Sequence, residues 1–138
     1  MKMMAFSCRQ DEREFFEQFG KQYGVEVETT REAPSMENAD LLKGCGAACV
    51  LTTPVDADLI DRWHEYGVKL ISTRTVGFEH VDYRHAAKLG IVVSNATYTP
   101  DTVAEYTIMT ILMAIRKMKI ILQRYIGQDF SLRHVRGR

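Results

Sequence analysis

What most limits the fold of this chain is a fivefold alternation of short apolar runs with helical spacing, joined by links of a few residues. MKMMAFS has the length and content of a strand, and QDEREFFEQFGKQYG then takes helical spacing with Phe15, Phe16 and Phe19 on one face. VEVETT alternates as an edge strand does, and NADLLKG reads as a short helix with Asn38 at the N-cap. ACVLTT is a strand of small and β-branched residues ended by Pro54. In DADLIDRWHEYG, Asp56 is the N-cap, Leu59, Ile60 and Trp63 face inward, and Gly67 is the stop. VKLIST is the fourth strand, VDYRHAAKLG a helix capped by Asp82 and closed by Gly90, and IVVSN the fifth strand. A long helix follows, from near Pro100 to about Ile126.

Strands that alternate with helices across short links build a parallel sheet covered on both faces. The expected fold class is α/β: a flavodoxin-like, doubly wound, five-stranded parallel sheet of order 2-1-3-4-5, followed by the long C-terminal helix. Ligands of such sheets gather outside the carboxyl ends of the strands. TRTVGFEH, after the fourth strand, and NATYTP, after the fifth, are therefore the loops to search.

Composition narrows the function classes. Lys plus Arg and Asp plus Glu balance at 18 each, which gives no overall field for nucleic acid or an anionic membrane surface. The stretch from Arg116 onward is locally basic and reads as a solvated helix face plus a tail. Cys8, Cys45 and Cys49 lack metal-ligand spacing and fit free thiols in a reducing cytoplasm. The N-terminus turns acidic before an apolar core of signal-peptide length develops. YTIMTILMAI is far short of the roughly 20 apolar residues that cross a bilayer. A soluble cytoplasmic protein without a metal site is expected.

In TRTVGFEH, a glycine directly after a strand exposes its own N–H and that of the residue before it, with no Cβ in the way. Successive main-chain N–H groups in such a turn favour a carboxylate or phosphate. Val76 and Gly77 are thus candidate anion ligands, with Arg74 adding a positive field. The competing reading is a tight turn in which Gly77 only supplies a positive φ. In NATYTPDTVAEYT, Thr99 suits the N-cap and Pro100 the first helical position. Tyr98 then either forms a hydrophobic staple with Val103 or points its hydroxyl over the ligand edge. GCGAAC, residues 44–49, imitates part of a dinucleotide fingerprint but precedes a strand instead of following one. His64, His80, His85 and His134 read as surface histidines.

The run ISTRTVGFEHVDYRHAAKLGIVVSNATYTPDTVAEYTIMTILMAIR resembles the substrate-domain core of the D-isomer-specific 2-hydroxyacid dehydrogenases, D-lactate dehydrogenases in particular. Three ordered motifs carry the resemblance: R-T-V-G-x-x-x-V-D, L-G-I-x-V-x-N and Y-T-P-x-x-V-A-E-Y. The N-terminal half matches by its rhythm of strands and helices. The resemblance implies that the N–H groups of Val76 and Gly77 hold the substrate carboxylate, that Tyr98 lies at the substrate, and that Val103 faces the nicotinamide of NAD. It implies a small 2-keto or 2-hydroxy acid as substrate, and the 100–126 helix, apolar nearly all round, is expected to be buried in a homodimer or higher oligomer.

It further implies a division into a substrate domain at 1–99, an interdomain helix at 100–126, and a linker at 127–138 leading to an NAD-binding domain beyond these residues. The arginine, glutamate and histidine that do the family's chemistry would lie there too, so no catalytic residue is expected within the 138 residues, and the polypeptide alone is expected to be inactive. The alternative is a non-catalytic flavodoxin-like module that binds a small carboxylate or a partner protein. A receiver-type signalling domain fits poorly, because the first strand lacks an acidic pair.

Overall fold

Five parallel strands, β1 (Lys2–Ala5), β2 (Glu26–Thr29), β3 (Ala47–Val50), β4 (Leu70–Thr73) and β5 (Val92–Ser94), lie in the order β2-β1-β3-β4-β5. This is the order expected from the sequence. The computed structural model describes residues 1–131 and 133. Its chain divides into two compact units, Met1–Thr97 and Tyr98–Arg138. Expectations that fall on the remainder of 127–138, including His134, lie outside the described residues.

In the first unit, α1 (Gln10–Tyr23) follows β1, a short 3-10 turn (Ala39–Leu42) precedes β3, and α2 (Ala57–Glu65) and α3 (Tyr83–Lys88) lead into β4 and β5. The strand order reverses direction at β1. With right-handed crossovers, that reversal puts α1 on one face and the 3-10 turn, α2 and α3 on the other. The second face holds the main core, in which Phe6, Leu42, Val50, Ile60, Trp63 and Ile71 are fully buried. Phe6 and Trp63 stack with ring centroids 5.9 Å apart.

Local signals explain the helix ends on this face. The Asp56 carboxylate accepts from Leu59 N–H at 3.0 Å and opens α2. Asp82 does the same for His85 N–H at 3.0 Å and opens α3. Gly67 (φ 92°) and Gly90 (φ 73°) follow in the left-handed conformation that ends each helix cheaply. Leu59, Ile60 and Trp63 are buried as expected.

The opposite face is thinly covered. Gly20 is the one buried residue of α1, and Phe15 and Phe19 are 60% and 47% exposed. Together with Met3, Tyr23, Val25 and Val27 they line an apolar groove of about 480 Å³.

Three local expectations are corrected. Asn38 does not cap the 3-10 turn: its Oδ1 accepts from Ser35 N–H (2.9 Å) and its Nδ2 donates to the Ala33 carbonyl (2.8 Å), so the side chain pins the preceding loop. Thr99 makes no cap: the last helical stretch begins at Asp101, with Pro100 before it already in right-handed helical conformation and no side chain closing the end. The long helix expected over 100–126 is two, α4 (Asp101–Ile115) and α5 (Met118–Ile126). Lys117 at φ 54° is left-handed, which a right-handed helix cannot propagate. Its N–H bonds back to the Ala114 carbonyl at 3.0 Å and tightens the end of α4, while its carbonyl starts α5 by accepting from Ile120 and Ile121. Neither helix has a buried residue. Among the described residues no helix is long and apolar enough to cross a membrane.

Candidate functional site

The loop from Thr73 to Val81 leaves β4 at the carboxyl edge of the sheet. Its first charged residue, Arg74, does not contribute a positive field to the loop, contrary to expectation. The guanidinium turns back into the protein and is 15% exposed. Nη2 donates to the carbonyls of Phe6 (3.0 Å) and Ser7 (3.1 Å), just past β1. Nε meets Glu12 Oε1 at 3.3 Å, Nη1 meets Cys49 Sγ at 3.5 Å, and the group lies 5.6 Å from the Phe16 ring centroid. Arg74 therefore fills the crevice between the ends of β1 and β3, where a doubly wound sheet ordinarily takes its ligand. The Cys49 thiol is pushed up from its ordinary range by burial, with the Arg74 hydrogen bond opposing part of that rise.

With that crevice plugged, the donor-rich part of the edge is the Val76–Gly77 segment, and both residues are exposed. Gly77 is not in the left-handed region, so the reading in which the glycine serves only to allow a positive φ does not hold. Nor does crowding by the backbone demand it. A Cβ there would meet one atom, Glu79 Oε2 at 3.0 Å, the tip of a movable side chain. What the missing Cβ leaves is a main chain approached only by the movable Glu79 carboxylate.

The carbonyls of this segment are engaged by the protein. Thr75 O accepts from Ala96 N–H (3.0 Å) and from the Thr73 hydroxyl (3.1 Å). Val76 O accepts from Asn95 Nδ2 (2.7 Å), and Gly77 O from the Thr75 hydroxyl (2.7 Å). The N–H groups of Val76 and Gly77 have no acceptor among the described residues. The segment presents donors outward and keeps its acceptors for itself, the polarity that suits a carboxylate.

Asn95, Thr73 and Thr75 were not singled out from the sequence. A signal for Asn95 existed: β4 and β5 pair in register with Ser72 beside Ser94, so a polar residue directly after β5 falls next to the end of β4.

Tyr98 opens the second unit and Val103 lies on α4, 59% and 55% exposed respectively. Two of the histidines are less superficial than expected: His64 Nδ1 and His80 Nε2 are buried with no hydrogen-bond partner among the described residues. His85 Nε2 pairs with Asp61 Oδ1 at 2.7 Å, tying α3 to α2. All three cysteines are free and buried, and the described residues hold no cluster suited to a metal.

Nothing among the described residues forms a dinucleotide cradle. The glycine pair at 44 and 46 opens β3 and does not lie between a strand and a helix. The apolar groove along α1 offers an anion no free charge, since Arg74 at its margin is already committed.

The family model described as D-isomer specific 2-hydroxyacid dehydrogenase, catalytic domain, matches residues 3–127. A D-specific alpha-keto acid dehydrogenase of Enterococcus faecium is 35% identical over 136 residues, which cover 96% of this chain and 42% of that one. Among solved structures, the apo D-lactate dehydrogenase of Escherichia coli superposes with a TM-score of 0.83 at 28% identity, over 100% of this chain and 44% of that one. The NAD+-bound D-lactate dehydrogenase of Lactobacillus jensenii gives a TM-score of 0.71 at 26% identity, again over 100% of this chain and 43% of that one. The chain thus spans roughly two fifths of the length of the relatives it matches.

Proposed function

Because the chain belongs to the D-isomer specific 2-hydroxyacid dehydrogenase family, within its catalytic domain, we propose that it is the substrate-holding part of an NAD-dependent oxidoreductase acting on a small 2-keto or 2-hydroxy acid such as pyruvate or D-lactate. The observation that carries this reading is the pair of N–H groups at Val76 and Gly77, on the carboxyl edge of the sheet, without an acceptor among the described residues. Two main-chain donors meeting one carboxylate form charge-assisted hydrogen bonds without placing a counter-charge nearby. Recognition of this kind orients the acid while leaving its 2-position unblocked.

The Tyr98 hydroxyl is proposed as a further donor to the substrate and Val103 as an apolar contact for the nicotinamide. NAD, when bound, accepts or delivers the hydride; the described residues hold no cradle for its pyrophosphate, and no proton or hydride step is assigned to them. The polypeptide of these 138 residues is accordingly expected to bind the acid but not to oxidise NADH. The free, buried thiols suit a reducing compartment such as the cytoplasm. The largely exposed apolar side chains of α4 and α5, none of them buried, support assembly as a homodimer or higher oligomer through these helices.

Titration calorimetry with oxamate, an unreactive isostere of pyruvate, tests the reading. Oxamate is expected to bind, its neutral ethyl ester is not, and Gly77→Ala weakens oxamate by about tenfold or more through loss of close approach. Equal binding of acid and ester would remove the carboxylate from the account.

A further inference from the structure

We infer that Asn95 and Thr73 are positioning residues, each setting the direction of one main-chain donor of the anion site: Asn95 that of the Gly77 N–H, and Thr73 that of the Val76 N–H. The inference rests on the carboxylate-holding role proposed for this loop and adds the side chains through which that role is prepared.

The warrant is the geometry of the peptide unit. In a trans peptide the carbonyl of one residue and the N–H of the next lie in one plane and point in opposite directions. Every peptide bond described here is trans. Fixing the oxygen end of a unit therefore fixes the aim of its hydrogen end. The unit joining Val76 to Gly77 is gripped at Val76 O by Asn95 Nδ2, at 2.7 Å. Only the amide nitrogen of Asn95 can serve here, since a carbonyl oxygen accepts and does not donate. The unit joining Thr75 to Val76 is gripped at Thr75 O twice, by the Thr73 hydroxyl at 3.1 Å and by Ala96 N–H at 3.0 Å.

The anchors are firmly placed. Thr73 is 2% exposed and ends β4. Asn95 is half-buried and follows β5 directly, and the register that pairs Ser72 with Ser94 holds the two strand ends side by side. Two adjacent strands thus supply the restraints, while the loop supplies the donors. A flexible loop would have to order its amides on each binding event; here that ordering is built into the folded state.

The two anchors differ in strength, and the difference is testable. Thr75 O keeps the Ala96 N–H when the Thr73 hydroxyl is removed, whereas Val76 O has no second donor among the described residues. Asn95 variants should accordingly do more damage than Thr73→Val.

Amide-resolved NMR of the 15N-labelled protein, titrated with oxamate, reads each donor separately. In the unsubstituted protein the Val76 and Gly77 cross-peaks are both expected to move as oxamate saturates. In Asn95→Asp, which sets an acceptor against the Val76 carbonyl, and in Asn95→Ala, the Gly77 response is expected to disappear while Val76 still responds, with affinity lower by about tenfold. In Thr73→Val the Val76 response shrinks and the Gly77 response persists. A merely structural role would move both peaks together or neither. Asn95 variants that bind as the parent does, with both peaks responding, overturn the inference and leave the carboxylate site standing. If neither peak responds in the unsubstituted protein, the carboxylate reading itself falls, and the inference with it. Should Asn95→Asp lose the dispersed spectrum of a folded protein, Asn95→Ala carries the same test.

Discussion

A guanidinium three positions before a glycine, in a loop at the ligand edge of a sheet, invites a single account in which both face the same anion. Arg74 and Gly77 separate those roles. Arg74 makes its contacts on the far side of its strand, with Glu12, Cys49 and the carbonyls of Phe6 and Ser7. Replacing it with methionine strips the Phe6 and Ser7 carbonyls of their side-chain donor and leaves the half-buried Glu12 carboxylate with Arg9 alone. Chemical denaturation is expected to register a loss of about 3 kcal/mol, the low end for a broken buried ion pair because Glu12 still reaches water. Gly77→Ala should leave stability within about 0.5 kcal/mol, since its φ is ordinary and only the tip of Glu79 must move. Its effect belongs to ligand affinity. The pairing of a silent denaturation curve with lost oxamate binding separates a glycine kept for access from one kept for folding. From the sequence, the V-G pair was readable because a glycine after a strand is unusual without a turn partner. The direction of Arg74 was not, because it depends on carbonyls 67 and 68 positions away.

At the scale of elements, most boundaries were legible where a short-range device sets them. Asp56, Asp82, Gly67 and Gly90 act within three residues of their helix ends, and each does what its position implies. Asp56→Ala is expected to cost about 1 kcal/mol, the usual worth of such a cap, measurable as a lowered thermal midpoint. The break between α4 and α5 escaped notice because RKMK holds no glycine or proline, and a left-handed lysine has no sequence signature. Asn38 failed as a cap for the opposite reason: its side chain found nearer backbone partners in the loop before it. On α1, helical spacing correctly set Phe15, Phe16 and Phe19 along one stripe, but periodicity names a face without saying what covers it. At Gly20 that helix lies close against its neighbours, since a Cβ there would lie 2.8 Å from the Val25 carbonyl oxygen and 3.3 Å from Val27 Cγ2. Gly20→Ala should push α1 off β2 at a cost of about 1–3 kcal/mol.

For the molecule as a whole, two properties follow from what is buried and what is bare. Burial raises the pKa of Cys8, Cys45 and Cys49 above the ordinary thiol range. The unfolded chain therefore loses those protons at lower pH than the folded one. By linkage, stability is unaffected below the unfolded thiol pKa of about 8.5 and declines as pH rises past it. Urea midpoints measured from pH 7 to 10 should fall at the alkaline end, and triple substitution of the cysteines by alanine should flatten that limb. On the other side of the ledger, Ile108, Ile111, Leu112 and Ile115 of α4 are each about half exposed or more. Light scattering of the purified chain is expected to give a dimer or larger species, shifted toward monomer by Leu112→Lys; a clean monomer at micromolar concentration contradicts the proposed assembly.

Central to all of this is the proposed main-chain grip on an organic acid at the end of β4, and a crystal structure of the protein soaked with oxamate tests it most directly. The account predicts a carboxylate oxygen within about 3 Å of the Val76 and Gly77 nitrogens, with Arg74 still bound to Phe6 and Ser7. Oxamate seated instead on the Arg74 guanidinium, with those two nitrogens bare, would contradict it.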